Sequence, residues 1–314
     1  MPPKKAPTTP RRSNSTRAAQ PATVSPARHP TVSARWLAAA VGLSLAAAAL
    51  CGWGALCLIF WQGSWQLLYH PTSAVVGTPA RIGLPFDSIE FAPDASGMPQ
   101  LHGWWIPYEA STRYTVVYLH GASGNMGDSV DDLIPIRAAH VNIFTFDYRG
   151  YGLSHFVHPS EARWRDDAES ALNYLIGTRH IPPGSIVLAG KDLGADLALE
   201  MAGTHPELAG VILDNPLPDP TRAIFDDPRA RLVPAHLLVS DRWNLMNPAR
   251  NLRTPSLWFF LADSTPQVRS VDGQLFGVAK SLKMDVWLNS QSHDSADIAN
   301  ALSRWLDGLP QKSQ

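Results

Sequence analysis

Cysteine is nearly absent from this chain. Its 314 residues include two, Cys51 and Cys57, and both fall inside one apolar stretch. The rest of the chain therefore has no disulfide framework, no thiolate metal site and no cysteine nucleophile. Charge is missing in two further ways. Residues 1–35 contain no Asp or Glu, while Lys4, Lys5, Arg11, Arg12, Arg17, Arg28 and Arg35 give them +7. Between Arg35 and Arg81 there is no charged side chain of either sign. Because the whole chain carries −1, residues 36–314 carry −8. An acidic main portion lacks the electrostatic footprint that phosphate backbones need, which argues against nucleic acid as a partner. There is no internal repeat and no cofactor motif, so no cofactor and no metal are expected.

What is present begins with a basic tail. Residues 1–35 hold seven prolines with many Ser, Thr and Ala and no apolar periodicity, a composition expected to stay disordered. Next comes WLAAAVGLSLAAAALCGWGALCLIFW, residues 36–61. As a helix it would be about 39 Å long, enough to cross a hydrocarbon core of roughly 30 Å with some tilt. Trp36 at one end and Trp61 and Trp65 at the other suit the two interfaces. The apolar run continues past any small-residue cleavage site, so an uncleaved signal anchor is expected. The basic excess before it places the tail in the cytoplasm and the main domain on the opposite side, periplasmic in a bacterium. The expected division is a tail over 1–35, an anchor over 36–61, a juxtamembrane linker over 62–85 and a folded domain over 86–310.

In that domain, residues 88–92 and 101–106 have the alternation of a strand hairpin. From residue 114 strands and helices alternate. Strands are expected near 114–119, 141–146, 185–189, 210–214, 256–261 and 284–288. Helices are expected near 127–139, 160–177, 192–204, 267–281 and 294–307, with irregular, Pro-rich chain over 215–250. Such alternation makes an α/β domain, a parallel sheet covered by helices on both faces. Ligands of these sheets bind at the carboxyl ends of the strands.

Val187-Leu188-Ala189-Gly190-Lys191-Asp192-Leu193-Gly194 reads as a buried strand running into a sharp turn and a helix, the pattern of a nucleophile elbow. Both glycines avoid a collision that any Cβ would create. The apex residue is usually Ser; here it is Asp192. An Asp at a helix N-terminus is also favoured by the helix dipole, so the motif alone does not fix the chemistry. Two other residues stand at strand ends in the order a triad requires, Asp263 as acid and His293 as general base. Asp214 is a second candidate for the acid. The loop His120-Gly121-Ala122 and the residue after the apex would supply backbone N–H groups for an oxyanion hole, at Ala122 and Leu193.

Four segments carry a family resemblance: residues 101–107 (LHGWWIP), 118–125 (YLHGASGN), 146–154 (FDYRGYGLS) and the elbow. Across residues 68–308 the chain resembles α/β-hydrolase-fold proteins, in the membrane-anchored branch near serine aminopeptidases and acyl-protein thioesterases. The resemblance implies a mostly parallel eight-stranded sheet, helices on both faces and little or no lid, preceded here by one transmembrane helix. It also implies a small-molecule or lipid-like substrate. The chain departs from the pattern in two places: Ser is replaced at Asp192, and the acid loop ending at Asp263 is one residue short and lacks its Gly.

A carboxylate nucleophile attacks an sp³ carbon and forms an alkyl-enzyme ester that activated water then cleaves. Haloalkane dehalogenases and epoxide hydrolases resemble this chain in having Asp at the apex. However, they usually carry Trp after the apex or lid tyrosines, and here Leu193 follows and residues 215–250 contain no Tyr. With an ester carbonyl, Asp would give a high-energy mixed anhydride unless it served as a base for water. Three readings are therefore open: an Asp192–Asp263–His293 hydrolase, a degenerate hydrolase fold that binds or scaffolds, and a lipid-binding domain at the membrane surface.

Overall fold

A computed structural model describes residues 32–289 and 295–310. His293 and most of the basic tail lie outside the described residues. The chain opens with α1 (Ala34–Gly63) and a 3₁₀ turn (Ser64–Leu67), followed by β1 (His70–Pro71), β2 (Asp87–Pro93), β3 (Pro99–Ile106), β4 (Thr115–Leu119) and β5 (Ser123–Gly124). Next come α2 (Leu133–Ala138), β6 (Asn142–Asp147), α3 (Glu161–Asn173), β7 (Ile186–Lys191), α4 (Leu193–Thr204) and β8 (Gly210–Asp214). The short helices α5 (Arg222–Phe225), α6 (Ala235–Leu238) and α7 (Met246–Asn251) precede β9 (Ser256–Leu261), α8 (Pro266–Val278), β10 (Lys283–Leu288) and α9 (Ser295–Asp307).

Eight strands form one sheet in the order β10-β9-β8-β7-β4-β6-β3-β2. The β2–β3 and β3–β6 pairs are antiparallel and the others parallel. The central strands are apolar on both faces because both faces are covered. Val117 and Leu119 of β4 and Leu188 of β7 join one core with α3, α4 and α8, through Trp164, Leu172, Leu197 and Leu275. Their alternates Val116, Tyr118, Val187 and Ala189 join the other core with α2 and α9, through Leu133, Ile136, Leu302 and Trp305. In register, Leu119 lies opposite Gly190 and Lys191 opposite Asp214. The carboxyl ends of β4, β7 and β8 therefore finish side by side, which is where the candidate site stands.

The chain divides into Met1–Cys51 and a compact unit Gly52–Gln314. The described part of the first is α1 up to Cys51. Among the described residues, one helix, Ala34–Leu67 with its 3₁₀ extension, is long and apolar enough to cross a membrane. Within the second unit, the end of α1 belongs to the core: Phe60 is 3% exposed, and Leu56 and Cys57 pack beside it. Residues 62–85, expected as a linker, are also tied in. Tyr69 is fully buried, donates from its hydroxyl to Asp241 Oδ2 at 2.6 Å and accepts from Trp243 Nε1 at 3.0 Å. β1 pairs in parallel with β5.

Candidate active site at the strand β7 elbow

Asp192 has φ 50° and ψ −123°, a left-handed conformation that a non-glycine residue adopts only when its surroundings force it. Three contacts do so. Its N–H donates to Asp214 O at 2.8 Å, fixing it to the end of β8. Its carbonyl accepts from Ala195 N–H at 2.9 Å, starting α4. A Cβ at Gly190 would overlap the Gly194 carbonyl, and one at Gly194 would overlap the Leu119 carbonyl. The two glycines let β4, β7 and α4 meet closely enough to lift the Asp192 side chain off the sheet edge.

That side chain sits between two neighbours. Asn215 Nδ2 donates to Asp192 Oδ1 at 2.6 Å. On the other side lies Gly121, where a Cβ would stand 3.7 Å from Asp192 Oδ2. Asn215 itself has φ 52°, a conformation Asn tolerates better than most residues, and its N–H donates to Phe259 O at 2.9 Å. Sequence reasoning missed Asn215. The available signal was its position, one residue past Asp214 on the strand next to the elbow.

A cavity of about 470 Å³ opens here, lined by Asp192, Lys191, Asp214, Asn215, Tyr118, Asp132, Phe259, Leu261, Ser295 and Ile298, among others. Lys191 Nζ lies 2.8 Å from Asp132 Oδ1, and the Tyr118 hydroxyl donates to Asp132 Oδ2 at 2.9 Å. Burial pushes the Asp214 carboxyl up to about 7, against the pull of Lys191. Asp196, one turn into α4, is fully buried and its carboxyl is raised well above the usual range by burial. Its Oδ1 accepts from Leu217 N–H at 2.8 Å, so it anchors the chain that leaves β8.

The loop after β4 is braced from behind. The imidazole of His120 is fully buried, with Nδ1 2.8 Å from Gly121 O, and burial lowers its pKa to about 4. It is therefore neutral at neutral pH, and it lies 3.6 Å from Asp147, whose carboxyl burial pushes up to about 7. Tyr148 donates to His120 O at 3.1 Å and Tyr151 to Ala122 O at 2.9 Å. Trp164 stacks on Tyr148 with ring centroids 3.9 Å apart. The aromatic residues of the 146–154 segment thus hold the His120–Ala122 loop against the elbow.

Of the residues expected at the site, the fold brings Asp192, Asp214 and the backbone of Leu193 together, with the loop carrying Ala122 alongside. Asp263 is exposed in the turn between β9 and α8 and is not among the cavity-lining residues, although Phe259 and Leu261 of the same strand are. His293 falls outside the described residues. Among the described residues, no group of three or more His, Cys, Asp or Glu is arranged to hold a metal ion.

The sequence model of the family described as alpha/beta hydrolase fold matches residues 114–241, which include the braced loop, the elbow and β8. The chain has an alpha/beta hydrolase fold. This hydrolase-fold chain is similar to the uncharacterized protein YfhR of Salmonella typhimurium, at 35% identity over 43% of this chain and 46% of the relative. It is also similar to alpha/beta hydrolase domain-containing protein 17C of Xenopus tropicalis, at 34% identity over 38% of each chain. The matched stretches span about half or less of these relatives' length. Among solved structures, an alpha-beta hydrolase of Vibrio vulnificus shares the fold with a TM-score of 0.59 at 19% identity, over 73% of this chain and 83% of that one. An acetyl xylan esterase from Paenibacillus does so with a TM-score of 0.55 at 14% identity, over 80% and 94%.

Proposed function

We propose that this chain is a membrane-anchored hydrolase that works on a small or acyl-type substrate through Asp192, with Asp263 and His293 as acid and base. The observation that carries the reading is the backbone of Asp192. Its φ of 50° at an elbow where neither flanking glycine has room for a Cβ is a strained geometry that costs on the order of 1–3 kcal/mol. A strand-to-helix turn with no task for its apex residue has no need of it.

With an electrophilic sp³ carbon, an Asp192 oxygen attacks and the leaving group departs with the bonding electron pair, giving an ester of Asp192. His293 then takes a proton from water, which attacks the ester carbonyl, releases the alcohol and restores the carboxylate. The Ala122 and Leu193 amides would stabilise the oxyanion of that second step. With an acyl substrate, Asp192 serves as a base for water, because direct attack would give an anhydride. Asp263 orients His293; Asp214, on the cavity wall, is the alternative acid.

A second reading has a specific observation behind it. Asn215 already occupies Asp192 Oδ1 at 2.6 Å, as suits a fold that binds without cleaving. One experiment separates the two: turnover by the full-length protein in detergent on esters, thioesters, amides, haloalkanes and epoxides, beside Asp192→Ala. Turnover in the parent that falls by about 10²-fold or more in the variant supports the hydrolase. No turnover on any class, or equal turnover in both proteins, leaves the binding reading.

The apolar helix after a +7 segment supports an anchor with the N-terminus in the cytoplasm and the domain on the other side. In a bacterial host, a C-terminal alkaline phosphatase fusion is expected to be active. An inactive fusion, with a cytoplasmic reporter active in its place, would reverse that orientation.

A further inference from the structure

A second cavity, of about 640 Å³, lies beside the end of α1 and shares no wall residue with the one at the elbow. Its walls come from residues 59–66, 158–163 and 224–241, all within the unit Gly52–Gln314. We propose that it binds a phospholipid whose headgroup pairs a phosphate with an amine. The phosphate meets Arg163, the amine meets Asp241, and the acyl chains leave over Ile59. The proposal needs no activity at Asp192.

Arg163 provides the anion end. It is exposed, and its Nη1 donates to His158 O at 2.8 Å. Among the described residues it forms no ion pair, whereas Arg149 and Arg165 nearby hold Asp167 and Glu161. Glu161, two residues before it, is occupied by Arg165 and by the Trp243 N–H, each at 3.2 Å. Arg163 also stands in the first turn of α3, thirteen residues long, where the helix dipole adds positive potential. Ser160 Oγ accepts from the Arg163 N–H at 3.4 Å, which leaves the Ser160 hydroxyl proton as a further donor on the same wall. A guanidinium without an acid, with its fork of N–H groups at a cavity wall, suits two oxygens of one phosphate.

Asp241 provides the cation end. It is 8% exposed and accepts from the Tyr69 hydroxyl at 2.6 Å, yet it forms no ion pair among the described residues. Arg163 and Asp241 thus line one cavity without pairing with each other. A ligand that carries both signs, set apart, compensates both. A net anion compensates Arg163 and adds repulsion at Asp241. Trp61 and Trp65 line the cavity too, and indole faces attract an ammonium group. Trp65 is held in place by stacking on His158, with ring centroids 4.7 Å apart.

One edge of the cavity is apolar. Leu58, Ile59 and Trp61 project from one turn of α1, and Ile59 is 64% and Trp61 56% exposed. Leu56, Cys57 and Phe60, on the other side of that turn, pack into the core. An exposed apolar turn beside a cavity with two opposite charges calls for a ligand with apolar chains as well as a charged head. That requirement makes the ligand a lipid rather than a free headgroup.

The test is a lipid titration of the full-length chain in dodecyl maltoside, followed by native mass spectrometry. The probes are dioleoyl phosphatidylethanolamine, dioleoyl phosphatidylglycerol and free phosphoethanolamine. The proteins are the parent, Arg163→Gln and, as a charge control, Arg253→Gln, which alters an exposed arginine outside the cavity wall. The parent is expected to bind phosphatidylethanolamine several-fold more tightly than phosphatidylglycerol. Arg163→Gln is expected to lose about tenfold in affinity for phosphatidylethanolamine, and Arg253→Gln to lose none. Arg163→Gln alters an exposed side chain, so its unfolding temperature in the same detergent is expected to match the parent's. Equal affinity in the parent and Arg163→Gln, or an equal loss in Arg253→Gln, would overturn the site. Phosphatidylglycerol bound as tightly as phosphatidylethanolamine would overturn the pairing of the amine with Asp241. Phosphoethanolamine bound as tightly as the lipid would show a soluble ligand and overturn the lipid assignment.

Discussion

Asn215 donates a hydrogen bond to Asp192 from the end of the neighbouring strand. A hydrogen bond of 2.6 Å to a carboxylate is worth about 1.5–3 kcal/mol, and the partner residue also accepts a left-handed backbone at φ 52°. Asn215→Ala is expected to lower stability by about 1–3 kcal/mol in urea unfolding and to alter any Asp192-dependent turnover. Unchanged stability would mean that the pair is broken in solution. Asp214 gives a pH signature. Burial raises its carboxyl from 3.8 to about 7, so the folded chain keeps a proton that the unfolded chain releases. That contribution is full below 3.8, declines as pH rises, and is gone above about 7. Asp147, also raised to about 7, acts with the same sign. Asp214→Asn should therefore flatten part of the fall in Tm across that window, and Asp214→Asn with Asp147→Asn more of it. An identical pH–Tm profile in the single variant would show that Asp214 is solvated.

The elbow is a property of three elements together. The strand β7, the helix α4 and the end of β4 approach so closely that Gly190 and Gly194 face carbonyls within a Cβ's reach. Gly190→Ala and Gly194→Ala are each expected to cost about 1–3 kcal/mol or more, because the obstacle is backbone and has little freedom to move. Gly203, near the end of the same helix, provides the contrast. A Cβ there meets Pro248 at 3.6 Å, an ordinary contact. Gly203→Ala should be neutral or stabilise by up to about 1 kcal/mol through helix propensity. Equal losses at all three positions in urea unfolding would show that α4, rather than the elbow, is what glycine serves.

For the whole molecule, the apolar helix and the hydrolase domain share residues. Phe60 belongs to a helix that composition assigns to a membrane, yet it is buried in the same core as Trp164 and Leu197. Phe60→Ala is expected to lower the stability of the full-length protein in detergent by about 3–5 kcal/mol. Leu45→Ala, in the apolar run before Gly52, is expected to leave the domain's unfolding transition where it is. A null effect of Phe60→Ala would detach the end of α1 from the core. Tyr69, bonded to Asp241 and Trp243, ties residues 64–85 to the chain before α7 in the same way.

Sequence alone determined what is local. The α/β alternation follows from hydrophobic period and the Gly-x-Asp-x-Gly elbow pattern at 190–194 is read directly along the chain, while the eight-stranded sheet was what the family resemblance implied. The apolar helix was legible because twenty-six residues without charge form one continuous signal. Tertiary structure decided what depends on strands far apart in the chain. Asn215 reaches Asp192 only because β8 lies beside β7 and its end is bent by a positive φ. Asp214 enters the cavity wall because β8 ends beside the elbow. The brace behind the His120 loop, built from Asp147, Tyr148, Tyr151 and Trp164, joins β4, β6 and α3. Burial then makes His120 neutral and raises Asp147, and no residue pattern along the chain carries that desolvation.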